Sequence, residues 1–342
     1  PYCNPNDIAI ASNGSIWFTD PNFGISLEGF GPELRDDEQP VRGIYQLKDG
    51  KLLLKNGSLK LPNGIAFSLD EKYFYAADSA DGIVYRFDFD GKNIVIESRA
   101  FELNDSQYIE ETYFTSGPLG GTCLTLSGPS NNNGTIRGIS FRGGSEPSGG
   151  GLEILNCSPT LKDLIIEDNS ADIGGGIYLS GSDAIIQNVT IRNNGASFGG
   201  GLYVTNGSPR IDGTIIEDNI AYWGGGIYFE NAEPIVKHSI LRRNEAFIEG
   251  AGLYQSNGSG SIEWTAFEHN NGYDYGGGIV SHQATLELNQ TTFAGNISGF
   301  GSVMALYSSV VTIKNSIFLV KQWSDSLFTT IKRCYILRGK LF

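Results

Sequence analysis

Five charged residues recur at one phase of the chain: Glu167, Arg192, Glu217, Arg242 and Glu268, spaced by 25 or 26 residues. Read structurally, the alternating signs are a surface ion-pair ladder, in which each exposed pair contributes about 0.2–1 kcal/mol. Read functionally, they are acid and base groups in a polysaccharide cleft. The regular alternation favours the ladder. Asp168 and Asp218 share the next phase, with Asn193 between them; this is a weak carboxylate pair that reads first as two polar side chains facing solvent. The same period carries aromatic rings. Tyr178, Tyr203, Tyr228 and Tyr254 form one column, and Phe198, Trp223 and Phe300 precede glycine clusters. Aromatic strips can stack on sugar rings or pack on one another. His238, His269 and His282 follow no shared spacing. Cys3, Cys123, Cys157 and Cys334 are scattered, with no CxxC pair. They suit neither a zinc site nor a dense disulfide framework. No Walker motif is present.

These columns exist because the chain repeats. Asn169, Asn194, Asn219, Asn244, Asn270 and Asn296 follow one another at 25, 25, 25, 26 and 26 residues. Three residues before each stands Ile166, Ile191, Ile216, Leu241, Phe267 or Phe293. After each of the first five comes a glycine cluster leading into an apolar pair, as in Gly174-Gly175-Gly176-Ile177-Tyr178. Each repeat holds β-branched strands too short to be stable alone. Stacked in parallel, each pairs with the coil above and below at about 4.8 Å. A column such as Ile177, Leu202, Ile227, Leu253 and Ile279 then fills the core, and each fully buried residue contributes roughly 1.5–3 kcal/mol. The Asn column is expected to form an amide ladder from coil to coil. Glycines serve turns that need positive φ or close backbone approach. The expected fold of residues 107–320 is an all-β, right-handed parallel β-helix of seven or eight coils.

Of 342 residues, 40% are hydrophobic and 46 are glycine, and the net charge is −14. Such an acidic body is a poor fit to a phosphate backbone, which argues against nucleic acid as a partner. No apolar run reaches the roughly 18 residues of a membrane-spanning helix. No signal peptide is visible; the chain begins at Pro1 and its one methionine is Met304, so an earlier N-terminus is expected.

The pattern Ile-x-x-Asn-x-Ala-x-x-Gly-Gly-Gly-(Ile/Leu)-Tyr resembles the repeats of polymorphic outer-membrane proteins and related β-helix proteins of the pectin-lyase-like fold. In that family the repeats are carried by secreted, surface-displayed or autotransported proteins, often adhesins. The resemblance implies an extracellular or cell-surface setting and a glycan or surface ligand, for which the tyrosines, Phe198 and Trp223 are the candidates. Galacturonases of the fold carry Asn-Thr-Asp, Asp-Asp, Gly-His-Gly and Arg-Ile-Lys signatures, and none occurs in residues 111–320. A polysaccharide lyase or hydrolase remains an alternative.

Residues 1–106 follow a different rule. Alternating segments such as Ser15-Ile16-Trp17-Phe18 and Tyr73-Phe74-Tyr75-Ala76 are separated by Asn13-Gly14, Asp49-Gly50, Asn56-Gly57 and Asp90-Gly91. Those dipeptides mark hairpins and predict antiparallel, propeller-like sheets. Pro5-Asn6-Asp7-Ile8, Gly14 to Pro21 and Leu61-Pro62-Asn63-Gly64-Ile65-Ala66-Phe67-Ser68 resemble the gluconolactonase family, also called regucalcin- or SMP-30-like, over about residues 1–103. That family is a six-bladed propeller holding one divalent cation, often Ca²⁺, through a Glu, two Asn and an Asp. The resemblance implies that Asn6 and Asn63 are the two Asn ligands and that the activity is lactone hydrolysis. The family's Glu would lie before Asn6 and its Asp in a later blade, so about two blades and half the ligand set are expected here.

The lactonase-like pattern stops near Leu103-Asn104-Asp105, and β-helix pattern begins by Gly121 to Leu126. The glycine period is lost again after residue 320, and residues 321–342 are expected to form an irregular basic tail or cap. Such seams lead us to expect a fragment or a join of two genes.

Overall fold

The computed structural model describes residues 7–20, 42–48, 50–57, 59–68, 71, 73–80, 83–88, 95–97, 109, 113–116, 121–127, 134–319, 328–331 and 335–338. Every element is a β-strand. The chain divides into two compact units, Pro1–Glu97 and Ser98–Phe342.

The first unit is built from hairpins. Asp7–Ile10, Ile16–Asp20, Gly43–Lys48 and Lys51–Asn56 form a four-stranded antiparallel sheet. Pro62–Phe67, Tyr73–Asp78 and Ile83–Asp88 form a three-stranded one. Asn13-Gly14 closes the first hairpin: Gly14 has φ +80°, and Asn13 Oδ1 accepts the Ser15 amide at 2.9 Å. The two sheets pack through aromatic rings. Trp17 lies 4.8 Å from Phe74, and Phe74 stacks on Phe87 at 4.6 Å. This is a partial propeller, one four-stranded blade and three strands of a second.

The second unit is a parallel solenoid. Its coils begin at Leu124, Leu152, Ile177, Leu202, Ile227, Leu253, Ile279 and Met304. Within a coil the chain makes three short faces, for example Ile177–Ser180, Ile185–Gln187 and Thr190–Arg192. Each strand pairs in parallel, in register, with the strand one coil on, so that Ile177, Leu202 and Ile227 are consecutive neighbours. Inward columns fill the core. One is Leu152, Ile177, Leu202, Ile227, Leu253, Ile279 and Met304, every one with no exposed surface. The corners are single left-handed residues: Asp163, Asn188 and His238 after the second face, and Asp168, Asn193 and Asp218 after the third, with φ between +47° and +57°. Asn and Asp tolerate that conformation better than other non-glycine residues.

The expected amide ladder occupies the buried corner. Each Asn Nδ2 donates to the next Oδ1, at 3.0 Å from Asn169 to Asn194 and again from Asn194 to Asn219, Asn219 to Asn244 and Asn244 to Asn270. The last step, Asn270 to Asn296, is 2.9 Å. The second Nδ2 hydrogen goes back to a carbonyl, as from Asn194 to Ile166 O at 2.9 Å.

After the ladder Asn the chain doubles back before the glycines. Ser145–Ser148 pairs with Ser170–Ile173. Single bridges carry the ladder through Gly195 and Phe198 to Ile220–Trp223, and Glu245–Glu249, Asn271–Tyr275 and Ile297–Phe300 complete it. This is the return ladder. Its turn into the next coil needs glycine. Gly199 has φ +64°, and a Cβ on Gly200 would lie 2.5 Å from the Gly225 carbonyl oxygen.

Within the segment expected to be an irregular tail, residues 328–331 and 335–338 are described, and both are strands. Phe328–Ile331 pairs with Met304–Tyr307 and Tyr335–Arg338 pairs with the strand beginning at Val310, both in parallel. Two ladders therefore run on for one more coil without the glycine cluster.

Candidate functional site

The tyrosine column lies on the outward side of the first face, as strand alternation requires. It is not a free surface, because the return ladder folds over it. Tyr203 is 7% exposed and Tyr254 8%. Tyr203 stacks on Tyr228 at 4.9 Å and Tyr228 on Tyr254 at 4.7 Å, and Tyr178 leans on Tyr203 at 5.7 Å. Phe198 stacks on Trp223 at 4.9 Å and meets Tyr228 edge-on at 5.8 Å. Trp223 and Tyr228 pack against the buried group Tyr254, Val280 and Ala305. The tyrosine column and the Phe198–Trp223 pair thus form a second, outer core between two strand layers. Burial is the main cause that pushes the Tyr228 phenol up to about 12, with the charges of Glu230 and Glu249 adding to it. Tyr203 is raised further, by burial first and then by its hydrogen bond to Glu230 Oε2 at 2.8 Å. Tyr203 and Tyr254 are thus buried in packing, whereas Tyr178, Phe198, Trp223 and Tyr228 are half-buried and keep part of their surface.

The accessible rings are different ones. Tyr222, Phe247 and Tyr273 point outward from the return ladder, with exposures of 50%, 43% and 52%. Their centroids are 5.5 Å apart from Tyr222 to Phe247 and again from Phe247 to Tyr273. Ile220, Ile297 and Phe300 widen this exposed apolar strip. The signal was present in the repeat: each ring stands three places after a ladder Asn. The same place holds Asp172, Ser197 and Gly299 in the neighbouring coils.

The charged column is paired more tightly than a surface ladder. Arg192 Nε and Nη2 reach Glu167 Oε2 at 2.8 and 2.7 Å. Arg242 Nε and Arg243 Nη2 reach Glu217 Oε2 at 2.7 and 2.6 Å. The Glu167 and Glu217 side chains are only 11% and 12% exposed, so these are half-sunk pairs rather than exposed ones. Asp218 is bound by Arg243 at 2.7 and 2.8 Å, which raises the arginine's proton affinity. His238 Nδ1 lies 2.9 Å from Asp212 Oδ1 on the open surface.

In the first unit, Asn63 opens the strand Pro62–Phe67. Its Nδ2 donates to Ser79 Oγ at 2.8 Å, and its carbonyl accepts from Thr19 Oγ1. Asp78, 1% exposed, holds the preceding turn by accepting the Lys60, Leu61 and Ala80 amides at 2.7, 3.1 and 3.0 Å. Asn6, the other implied ligand, lies outside the described residues. Among the described residues, no three His, Cys, Asp or Glu side chains gather closely enough to share a metal ion. Carboxylates lie near Asn63, with Asp7 Oδ2 accepting the Ile65 amide at 2.9 Å and Asp78 paired with Pro62 across the sheet; a Ca²⁺ site takes six to eight oxygens.

Comparison with known proteins separates the same two parts. Residues 99–266 match the right-handed β-helix region. Over 79 residues the chain is 35% identical to a gluconolactonase of Zymomonas mobilis, covering 23% of this chain. The chain spans 21% of the length of that relative. A solved gluconolactonase structure from Xanthomonas campestris shares 32% identity over 26% of this chain and 30% of that one, with a TM-score of 0.22. No helix among the described residues is long and apolar enough to cross a membrane. Ahead of its β-helix, the chain carries at residues 1–109 an SMP-30/gluconolactonase/LRE-like region.

Proposed function

We propose that the chain is a non-catalytic binding protein of the cell surface or the extracellular space, whose solenoid takes carbohydrate on the return ladder. The observation that carries this reading is the exposed row of Tyr222, Phe247 and Tyr273 at coil spacing, with Phe247 stacked on Tyr273 and Tyr222 tilted against Phe247. Exposed rings in a line offer apolar contact at about the footprint of successive sugar rings, and aromatic side chains supply much contact area for little conformational entropy. The likeness of the repeats to those of surface-displayed β-helix proteins supports the extracellular setting. Affinity electrophoresis of the full chain through gels cast with soluble polysaccharides tests the reading. Retardation that disappears in Tyr222→Ala/Tyr273→Ala is expected. Equal mobility in every polysaccharide gel sinks it, and cleavage of a retained polysaccharide would replace binding by a lyase or hydrolase.

A second reading rests on the 35% identity of the first unit to a gluconolactonase. It is lactone hydrolysis with a divalent cation such as Ca²⁺, in a protein that completes the propeller. Calcium-dependent release of acid from a sugar lactone by the full chain, abolished by a chelator, is its test.

A further inference from the structure

The return ladder carries acids and no base, with Glu249 turned inward to accept from the Tyr307 hydroxyl at 3.0 Å. Its segments, from Ser145–Ser148 to Ile297–Phe300, contain Glu146, Asp172, Glu245, Glu249 and Asp274 but neither Lys nor Arg. The corner beside it is built the opposite way, with Arg192, Arg242 and Arg243 neutralising Glu167, Glu217 and Asp218. Among the described residues, Glu146, Asp172 and Asp274 enter no ion pair with a side chain of this protein.

These carboxylates bracket the aromatic row. Asp172 stands in the column of Tyr222, two coils before it, with only Ser197 between. Together with Glu146 it lines a cleft of about 330 Å³, whose other walls include Ser145 and Ser170. At the other end Asp274 follows Tyr273, and the next place in the column is Gly299, which sets no side chain over the ring.

A partner for this face must supply rings that stack and a charge that unpaired carboxylates attract. A uronate or sulfate polymer meets like charge along its whole length, which opposes binding. A plain polyamine satisfies the acids and leaves the rings unused. We infer that the return ladder binds an amino-sugar glycan bearing free, protonated amines, laid along the solenoid axis. This rests on the carbohydrate reading above and names its ligand class.

The test is calorimetry on the full chain with three probes of equal length: a β-1,4-linked glucosamine hexamer, its N-acetylated counterpart and a galacturonate hexamer. Mildly acidic buffer keeps the amines of the glucosamine probe protonated. The glucosamine hexamer is expected to bind about tenfold more tightly than the N-acetylated one, a gap that two exposed ion pairs supply at low salt. Added salt closes the gap, and so does Asp172→Asn/Asp274→Asn. Tyr222→Ala/Tyr273→Ala weakens both amino-sugar probes. Equal binding of the N-acetylated hexamer, or tighter binding of galacturonate, overturns the inference and leaves the carbohydrate reading standing. Undiminished glucosamine binding by Tyr222→Ala/Tyr273→Ala overturns the assignment to this ladder. No binding of any probe overturns the inference, and the carbohydrate reading then stands or falls on the gel assay above.

Discussion

The ring of Phe247 lies against that of Tyr273 on the next coil, with centroids 5.5 Å apart and planes 23° apart. Both face outward. Side chains stacked on each other are already ordered, so a ligand that covers them meets little further loss of rotamer freedom. Beneath the ladder, Tyr228 and Tyr254 are stacked more closely, at 4.7 Å, but there the stack holds two layers of one protein together.

That contrast separates binding from stability. Tyr222→Ala/Tyr273→Ala is expected to leave the unfolding midpoint almost unchanged, as for surface substitutions within about 0.5 kcal/mol. Tyr228→Ala opens the outer core and is expected to cost about 2 kcal/mol or more. Urea titration of both variants checks this, and equal destabilisation would show that the exposed rings also hold the fold.

The amide ladder is the next test. Asn219→Ala takes the acceptor from the buried Asn194 backbone amide and from one Asn194 Nδ2 hydrogen, and one donor from the Ile191 carbonyl, while Asn244 Oδ1 keeps the residue-219 backbone amide at 3.1 Å. The expected cost is about 3 kcal/mol, since unpartnered buried polar groups cost about 1–3 kcal/mol each and the site partly relaxes. Asn296 is 8% exposed, against none for Asn219, so Asn296→Ala is expected to cost less. A loss below about 0.5 kcal/mol for Asn219→Ala would remove the ladder from the account of stability.

Arg192→Ala and Arg242→Ala should differ although they share a phase. With Arg242 removed, Glu217 keeps Arg243 at 2.6 Å. With Arg192 removed, Glu167 keeps Arg142 at 4.0 Å. Arg192→Ala is therefore expected to cost about 1–2 kcal/mol more, because it leaves a mostly buried carboxylate poorly paired. Chemical denaturation of the two variants decides, and the reverse order would refute the pairing scheme.

The tyrosine column predicts an alkaline limit. Tyr228 is raised to about 12 from an ordinary value of 10.0, and Tyr203, Tyr254 and Tyr307 are raised as well. A group whose proton is held more tightly in the folded state contributes full stability below its unfolded value. That contribution is lost as the pH rises from about 10 toward about 12. Ultraviolet titration should show a set of phenols ionising only together with loss of β-sheet circular dichroism. Full ionisation of all tyrosines in a chain that keeps its sheet signal would contradict the burial.

Much of the solenoid is legible in the sequence because stacking in parallel turns a spacing of 25 residues into a contact. Ile177, Leu202 and Ile227 had to be neighbours once the Asn period was seen, and so did Asn194 and Asn219. The gluconolactonase-like segment was legible through short motifs around Asn63. Its ligand set was not, because the groups around a propeller channel come from blades far apart in sequence.

The amino-acid sequence by itself determined the coil: its period, its inward columns, its amide ladder and the two-part plan of the chain. Local chemistry and a constant offset are enough for that. Tertiary structure decided which outward rings meet solvent. Strand alternation puts Tyr203 and Tyr228 outside the first face, yet the return ladder, turned back through Gly199 and Gly200, covers them. Tyr222, Phe247 and Tyr273 become the exposed surface instead. Burial depends on where a second layer lies, and that layer is set by the path of the turn.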